Sequence, residues 1–214
     1  MMTVVKQFTG ATAEQALLHM TYLAGRAEVS DLVDPVLSHK DFATFPASVG
    51  FLKNGSRKHH YFEGGLAVHT AQVVSTAWYM ADYFSMNGWQ RTVLITAAIW
   101  HDFGKVDEYE KVGDLCWERR VPHLGHIAAG LVRWGRFART KPAHRAMVCL
   151  PAANQLAPMK AVEAFDRAVS HLIASHHGLR EWGSPDSPAN LPAVLLHQAD
   201  MLSLLQDGSN PYAR

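Results

Sequence analysis

The sequence predicts an all-α fold, a helical bundle interrupted by at most one short β-hairpin. Three observations predict it. Apolar residues recur at the spacing of a helix face over 12–28, 65–86, 92–100 and 159–175, and again around Leu195–Leu205. Most of these stretches contain or end in a histidine or aspartate. Only 106–121 shows partial alternation, and a Gly-Asp turn breaks it in the middle, so it fits a short hairpin or a loop.

The elements follow in order. Thr12 with Gln15 three residues later makes a capping box, so a helix starts there and packs through Leu17, Met20 and Leu23; His19 reads as a boundary residue. Residues 38–64 read as irregular, with Pro46, Gly50, Asn54-Gly55 and Gly64-Gly65 as turn formers. Within them Arg57-Lys58-His59-His60 is a polar basic loop that leads towards His69. In the helix 65–86 His69 lies four residues before Val73 and faces inward with it. The helix 92–100 ends at His101-Asp102. Pro122 is expected to start the next helix, which places His123 and His126 on one face. Met159–Ser175 ends at His176-His177-Gly178, with Gly178 as the residue that terminates the helix. Residues 179–192 read as a rim loop, and in the last helix His197 and Asp200 face the same way.

A chain of 214 residues is one domain or one domain with an extension. We divide it into 1–54, a helix and irregular segment packed on the core, and 55–207, a single metal-binding unit. Hydrophobic residues make up 48%, enough for a sizeable core, and a net charge of +1 predicts no polyanion partner from global charge. Two cysteines form neither a disulfide framework nor a zinc-ribbon spacing. No signal peptide or membrane span is legible, so a soluble cytoplasmic protein is expected. Thirteen histidines are the compositional anomaly.

Those histidines carry the chemistry. An apolar run that ends in His101, Asp102, Gly104 and Lys105 is poor core material, whereas imidazole mixed with carboxylate suits a divalent transition metal. The ordered set is His69, His101, Asp102, His126, His176, His177 and Asp200, more than one metal uses. Asp102 has two oxygens and can bridge. His69, His101 and Asp200 would then hold one ion, and His126 and His176 a second; His176 is favoured as the direct ligand over His177. Such a pair of ions suits phosphoryl chemistry.

The set resembles the HD superfamily of metal-dependent phosphohydrolases. Gly64–Thr70, Trp100–Lys105, Gly125-His126-Ile127, Ser175–Gly178 and Leu196–Asp200 are more closely similar to the HD domain of bacterial 3′→5′ exoribonucleases. The Gly-Gly-Leu-x-x-His segment is also similar to HD-type relaxases of conjugative elements. The resemblance spans roughly 55–205. It implies an HD-domain helical bundle and a phosphodiesterase or nucleotidase. Water would be activated at a dinuclear site of Mn, Fe, Zn, Co or Ni, with Asp102 and Lys105 catalytic and Lys105 stabilising charge on the phosphoryl oxygens. Those exoribonucleases carry an additional OB-fold, for which this sequence leaves no room, and the interval from His126 to His176 looks like an insertion.

Two other readings share the ligand set: a mixed-valent di-iron oxygenase, and a nucleic-acid-processing, relaxase-like component of a mobile element. Arg57 and Lys58, with the stripe Arg133/Arg136/Arg139, are candidate contacts to a nucleotide or single-stranded nucleic acid. The plain alternative for the stripe is a solvated face. Trp134 and Phe137 beside it read as core first and as a stacking surface second.

Overall fold

The structure is a computed structural model that describes residues 11–50, 58–114, 116–150 and 157–206. Arg57 lies outside the described residues. The expected all-α bundle is observed, with one antiparallel hairpin.

Two helices form its centre: α4 (Gly65–Tyr83) and α5 (Gly88–Trp100), counted after α1 (Ala13–Arg26), α2 (Ser30–Leu37) and α3 (Lys40–Thr44). Both are buried nearly all round, from Gly65 to Ser75 in α4 and from Thr92 to Trp100 in α5, as helices that are apolar on every face must be. α1 packs on one side of α4. It begins where expected, with the Thr12 side chain accepting from the Gln15 N–H and the Gln15 side chain accepting from the Thr12 N–H. α5 begins four residues before the apolar run because Asn87 and Gln90 form a second capping box.

After α5 come the short α6 (Lys105–Glu108) and the hairpin β1 (Tyr109–Gly113) and β2 (Cys116–Arg119), with Tyr109 opposite Arg119 and Lys111 opposite Trp117. α7 (His126–Ala138), α8 (Lys141–Cys149), α9 (Pro158–Ser175) and α10 (Leu191–Gln206) complete the bundle; α9 covers α5, and α10 lies along α4. An aromatic cluster of Trp100, Phe103, Trp134 and Phe137 joins α5 to α7. Among the described residues no helix is long and apolar enough to cross a membrane.

Two expectations are corrected. The stretch 38–64 is not wholly irregular: α3 forms there, with the His39 ring accepting from the Asp41 N–H and Phe42 buried. Five residues are too few to show a periodicity. Pro122 does not start α7. Gly125, at φ 80 and ψ 143, keeps the chain out of helix until His126, and His123 stays exposed on the preceding strip. His123 and His126 therefore share no helical face.

Candidate metal centre

Five elements deliver one or two candidate ligands each to a single point. His69 comes from the second turn of α4. His101 caps α5 at its C-terminus and Asp102 follows it. His126 is the first residue of α7, and His176 caps α9 with His177 next. Asp200 comes from α10. The expected convergence is present. His69 Nε2 lies 3.1 Å from Asp102 Oδ2, 3.2 Å from Asp200 Oδ1 and 3.3 Å from His101 Nε2. On the other side Asp102 Oδ1 lies 3.5 Å from His126 Nε2 and 3.7 Å from His176 Nε2, and His126 Nε2 lies 3.3 Å from His177 Nε2. Asp102 thus turns one oxygen to His69 and His101, and the other to His126 and His176.

Every imidazole is oriented by the same device. Nδ1 of His101 donates to Ala98 O, that of His176 to Ile173 O, and that of His177 to Trp182 O. His126 Nδ1 donates to Glu108 Oε2, which also accepts from the His126 backbone N–H. His69 Nδ1 donates to Ser203 Oγ, whose own proton goes to Gln72 Oε1. Carbonyl and carboxylate oxygens only accept, so each Nδ1 holds the proton and each Nε2 presents a lone pair to the centre. His176 and His177 can both point there because α9 has ended at Ser175.

Two glycines make the close packing possible. A Cβ on Gly104 would lie 1.9 Å from His126 O. One on Gly178, at φ 82, would lie 2.6 Å from the His197 ring, which donates from Nδ1 to His176 O.

The electrostatics match a cation site. Burial alone would lift the carboxyl of Asp102, but Lys105 and His101 hold it well below the usual range. Asp200 is likewise buried yet lowered, by its hydrogen bond to His69 and by the histidines around it. Burial opposes charge on His69, and the carboxylates of Asp102 and Asp200, which face its Nε2 and would accept from a protonated ring, more than offset that and raise it. Burial pushes His176 well down, with His101 adding to the effect; burial also lowers His177, helped by His126. Lys105 is buried, which alone would lower it, yet its 2.5 Å ion pair with Asp102 raises it, so it stays charged.

The donor set fits a divalent cation on an observation independent of the ligand count. Asp102 Oδ1 and His176 Nε2 are buried and have no hydrogen-bond partner among the described residues, though they face one another at 3.7 Å. Orphaned buried acceptors cost roughly 1–3 kcal/mol each, a cost that a shared cation removes. A cavity of about 320 Å³ opens onto the site, lined by His59, Asp102, Lys105, His177 and Asp200, with Trp182 at its edge.

Arg133 and Arg136 sit elsewhere. Arg133 pairs with both oxygens of Asp107, at 2.5 and 2.7 Å, and lies over the Phe103 ring. With the exposed Arg136 it lines a separate cavity of about 680 Å³. Lys58 is half-buried and does not line the site cavity. Trp134 is fully buried and donates to Asp166 Oδ1, so it is core.

Some residues of the site had no expectation attached. Glu108 orients His126 and pairs with Arg119 at 3.0 Å. Ser203 and Gln72 lie three residues after Asp200 and His69 on the same helical faces, and that spacing was a usable signal. His59 and His60 are not solvated. His60 is buried and bonds Gln72 at 2.9 Å, and the His59 ring lies 5.6 Å from the His69 ring, tilted by 53°.

The chain is similar to curated bacterial proteins named 3′-5′ exoribonuclease YhaM. It is 29% identical over 164 residues to that of Listeria monocytogenes, 29% over 163 to that of Bacillus licheniformis and 28% over 162 to that of Bacillus subtilis. Each alignment covers 76% of this chain and 43% of the relative, so the chain spans less than half the length of the curated relatives it matches. No family profile and no solved structure matches. The resemblance to HD-domain exoribonucleases is therefore one of homology across three quarters of the chain.

Proposed function

We propose that this homologue of HD-domain exoribonucleases is a metal-dependent phosphohydrolase that cleaves phosphodiester bonds at the end of a single-stranded nucleic acid. The observation that carries the reading is Asp102: one buried carboxylate shared between two sets of Nε2 lone pairs, with an orphaned oxygen on one side.

His69, His101, Asp102 and Asp200 would hold one ion, and Asp102, His126, His176 and His177 a second. When bound, such a pair supplies Lewis acidity towards a phosphoryl group and lowers the pKa of water. The chain's own residues do the rest. Lys105 keeps a permanent positive charge at the floor of the cavity, where it can attract a phosphodiester and offset charge that builds on its oxygens. Its bond to Asp102 Oδ2 also fixes the carboxylate's rotation. Glu108, Ser203 and the carbonyls of Ala98, Ile173 and Trp182 lock the imidazoles before substrate arrives, so little reorganisation remains during reaction.

A phosphatase and phosphodiesterase panel on one metal-stripped preparation, with manganese, iron, zinc, cobalt and nickel added back in turn, tests the reading. Diester hydrolysis restored by at least one metal is expected. Dioxygen consumption by the iron-loaded protein, with no hydrolysis under any metal, would instead favour the oxygenase.

A further inference from the structure

The site cavity has a second wall that the ligands and Lys105 do not explain. Trp182, Met201 and Leu204 line it beside His177 and Asp200. Trp182 is 54% exposed and Met201 37%, so neither is core packing. A single exposed apolar residue is unremarked on any surface. Here a tryptophan, a methionine and a leucine share one concave site with a metal centre.

The backbone of Trp182 is also pinned. It closes a 3₁₀ turn, Arg180–Trp182, with its N–H bonded to Leu179 O at 3.0 Å and Gly183 following at φ 88. Ser184 Oγ bonds Ala174 O at 3.0 Å, and Asp186 is tied to His171 at 3.2 Å, so the segment that leaves the turn is fastened to α9 twice. The carbonyl of Trp182 accepts from His177 Nδ1. One residue thus orients a metal ligand through its backbone and offers an open indole to the same cavity. With the backbone fixed in advance, only the side chain's rotamers remain to be ordered on binding.

Resting on the phosphohydrolase reading, we propose that Trp182 is the stacking platform for the base of the terminal nucleotide of a single-stranded nucleic acid. At about 320 Å³ the cavity is at the small end of ligand sites. It fits one nucleotide, with the rest of the strand leaving through the opening. Stacking uses the π-face that every base has, and Met201 and Leu204 add apolar contact with no hydrogen-bonding side chain. The site therefore requires a base at the terminus without reading which base it is.

Binding separates this inference from the hydrolysis it rests on. Single-stranded oligonucleotides with a non-cleavable terminal linkage, ending in each of the four bases or in an abasic residue, are titrated into the metal-loaded protein by fluorescence anisotropy. The wild type is expected to bind base-bearing ends about ten- to a hundredfold more tightly than abasic ends, with the four bases within about threefold of one another. Trp182→Phe should retain most of that preference. Trp182→Ala should bring it to near unity, with wild-type metal content showing that His177 is still in place. No preference in the wild type, no binding at all, or a preference undiminished in Trp182→Ala would each overturn the platform. Tight, base-dependent binding without hydrolysis of a cleavable counterpart under any metal would uphold it and overturn the phosphohydrolase reading alone.

Discussion

Asp102 is the residue on which both halves of the site depend, and its two oxygens face different histidines. Asp102→Ala should remove all bound metal, whereas His126→Ala should remove only the ion held with His176. Elemental analysis of the two variants checks this, and equal partial loss in both would contradict the sharing. A second consequence concerns protons. Burial holds His59 at about 3 and His60 at about 2, and it holds His176 well below its ordinary value. These groups stay neutral when folded but take up protons when unfolded below the ordinary histidine pKa of about 6.5. Their contribution is therefore complete above that pH and is lost as pH falls, by up to about 1.4 kcal/mol per pH unit for each histidine. His69 is raised, has the opposite sign and offsets part of the loss. Urea denaturation of metal-stripped protein should show lower stability at pH 5 than at pH 7, with a shallower dependence in His60→Gln. A flat profile would contradict the assignment.

At the scale of elements, the site is assembled where helices begin and end. The proposed ligands His101, His126, His176 and His177 sit at such ends, and the turns beside them are stitched by single residues. Glu108 is the clearest case, since it leaves α6 to fix the first residue of α7 through both the backbone and the ring of His126. Glu108→Gln should weaken the ion near His126 by roughly 10–100-fold and leave the other unaffected. Isothermal titration of metal into the variant reads the two affinities separately. Gly104→Ala should be severe, because the new methyl would meet His126 O where neither backbone can move aside cheaply. Much of this level was legible beforehand. Thr12 with Gln15 and the run into His101 are local signals that the structure follows; the helix before Gly178 ends earlier, at Ser175 with His176 as its cap, and Gly178 takes φ 82 two residues further on. The start of α7 was not legible: Pro122 is an ordinary helix opener, and only the conformation of Gly125 delays the helix to His126. The role of Glu108 was equally hidden, since it arises from tertiary proximity and has no helical spacing to His126.

At the scale of the molecule, α4 and α5 are buried on every face and bring His69 and His101-Asp102 together as a consequence of packing the core. That His69, His101, Asp102, His126, His176 and Asp200 would converge was readable because five of the helices carry or end in an inward polar residue that a plain core would not contain. The basic clusters were less readable. Charge spacing along α7 does not reveal that Asp107 lies opposite Arg133, or that Trp134 is turned into the core. Metal that binds only the folded arrangement should raise the melting temperature in a concentration-dependent way. Loss of stabilisation in Asp102→Ala checks that the effect belongs to this site.

The proposed phosphohydrolase would hydrolyse phosphodiester bonds through two ions shared by Asp102. Its most direct test is cleavage of an end-labelled single-stranded oligonucleotide by metal-stripped protein titrated with manganese. Cleavage is expected to be absent in chelator, to reach its maximum near two equivalents of metal, and to be absent with Asp102→Ala at any concentration. Cleavage in chelator, or by the Asp102→Ala variant, would contradict it.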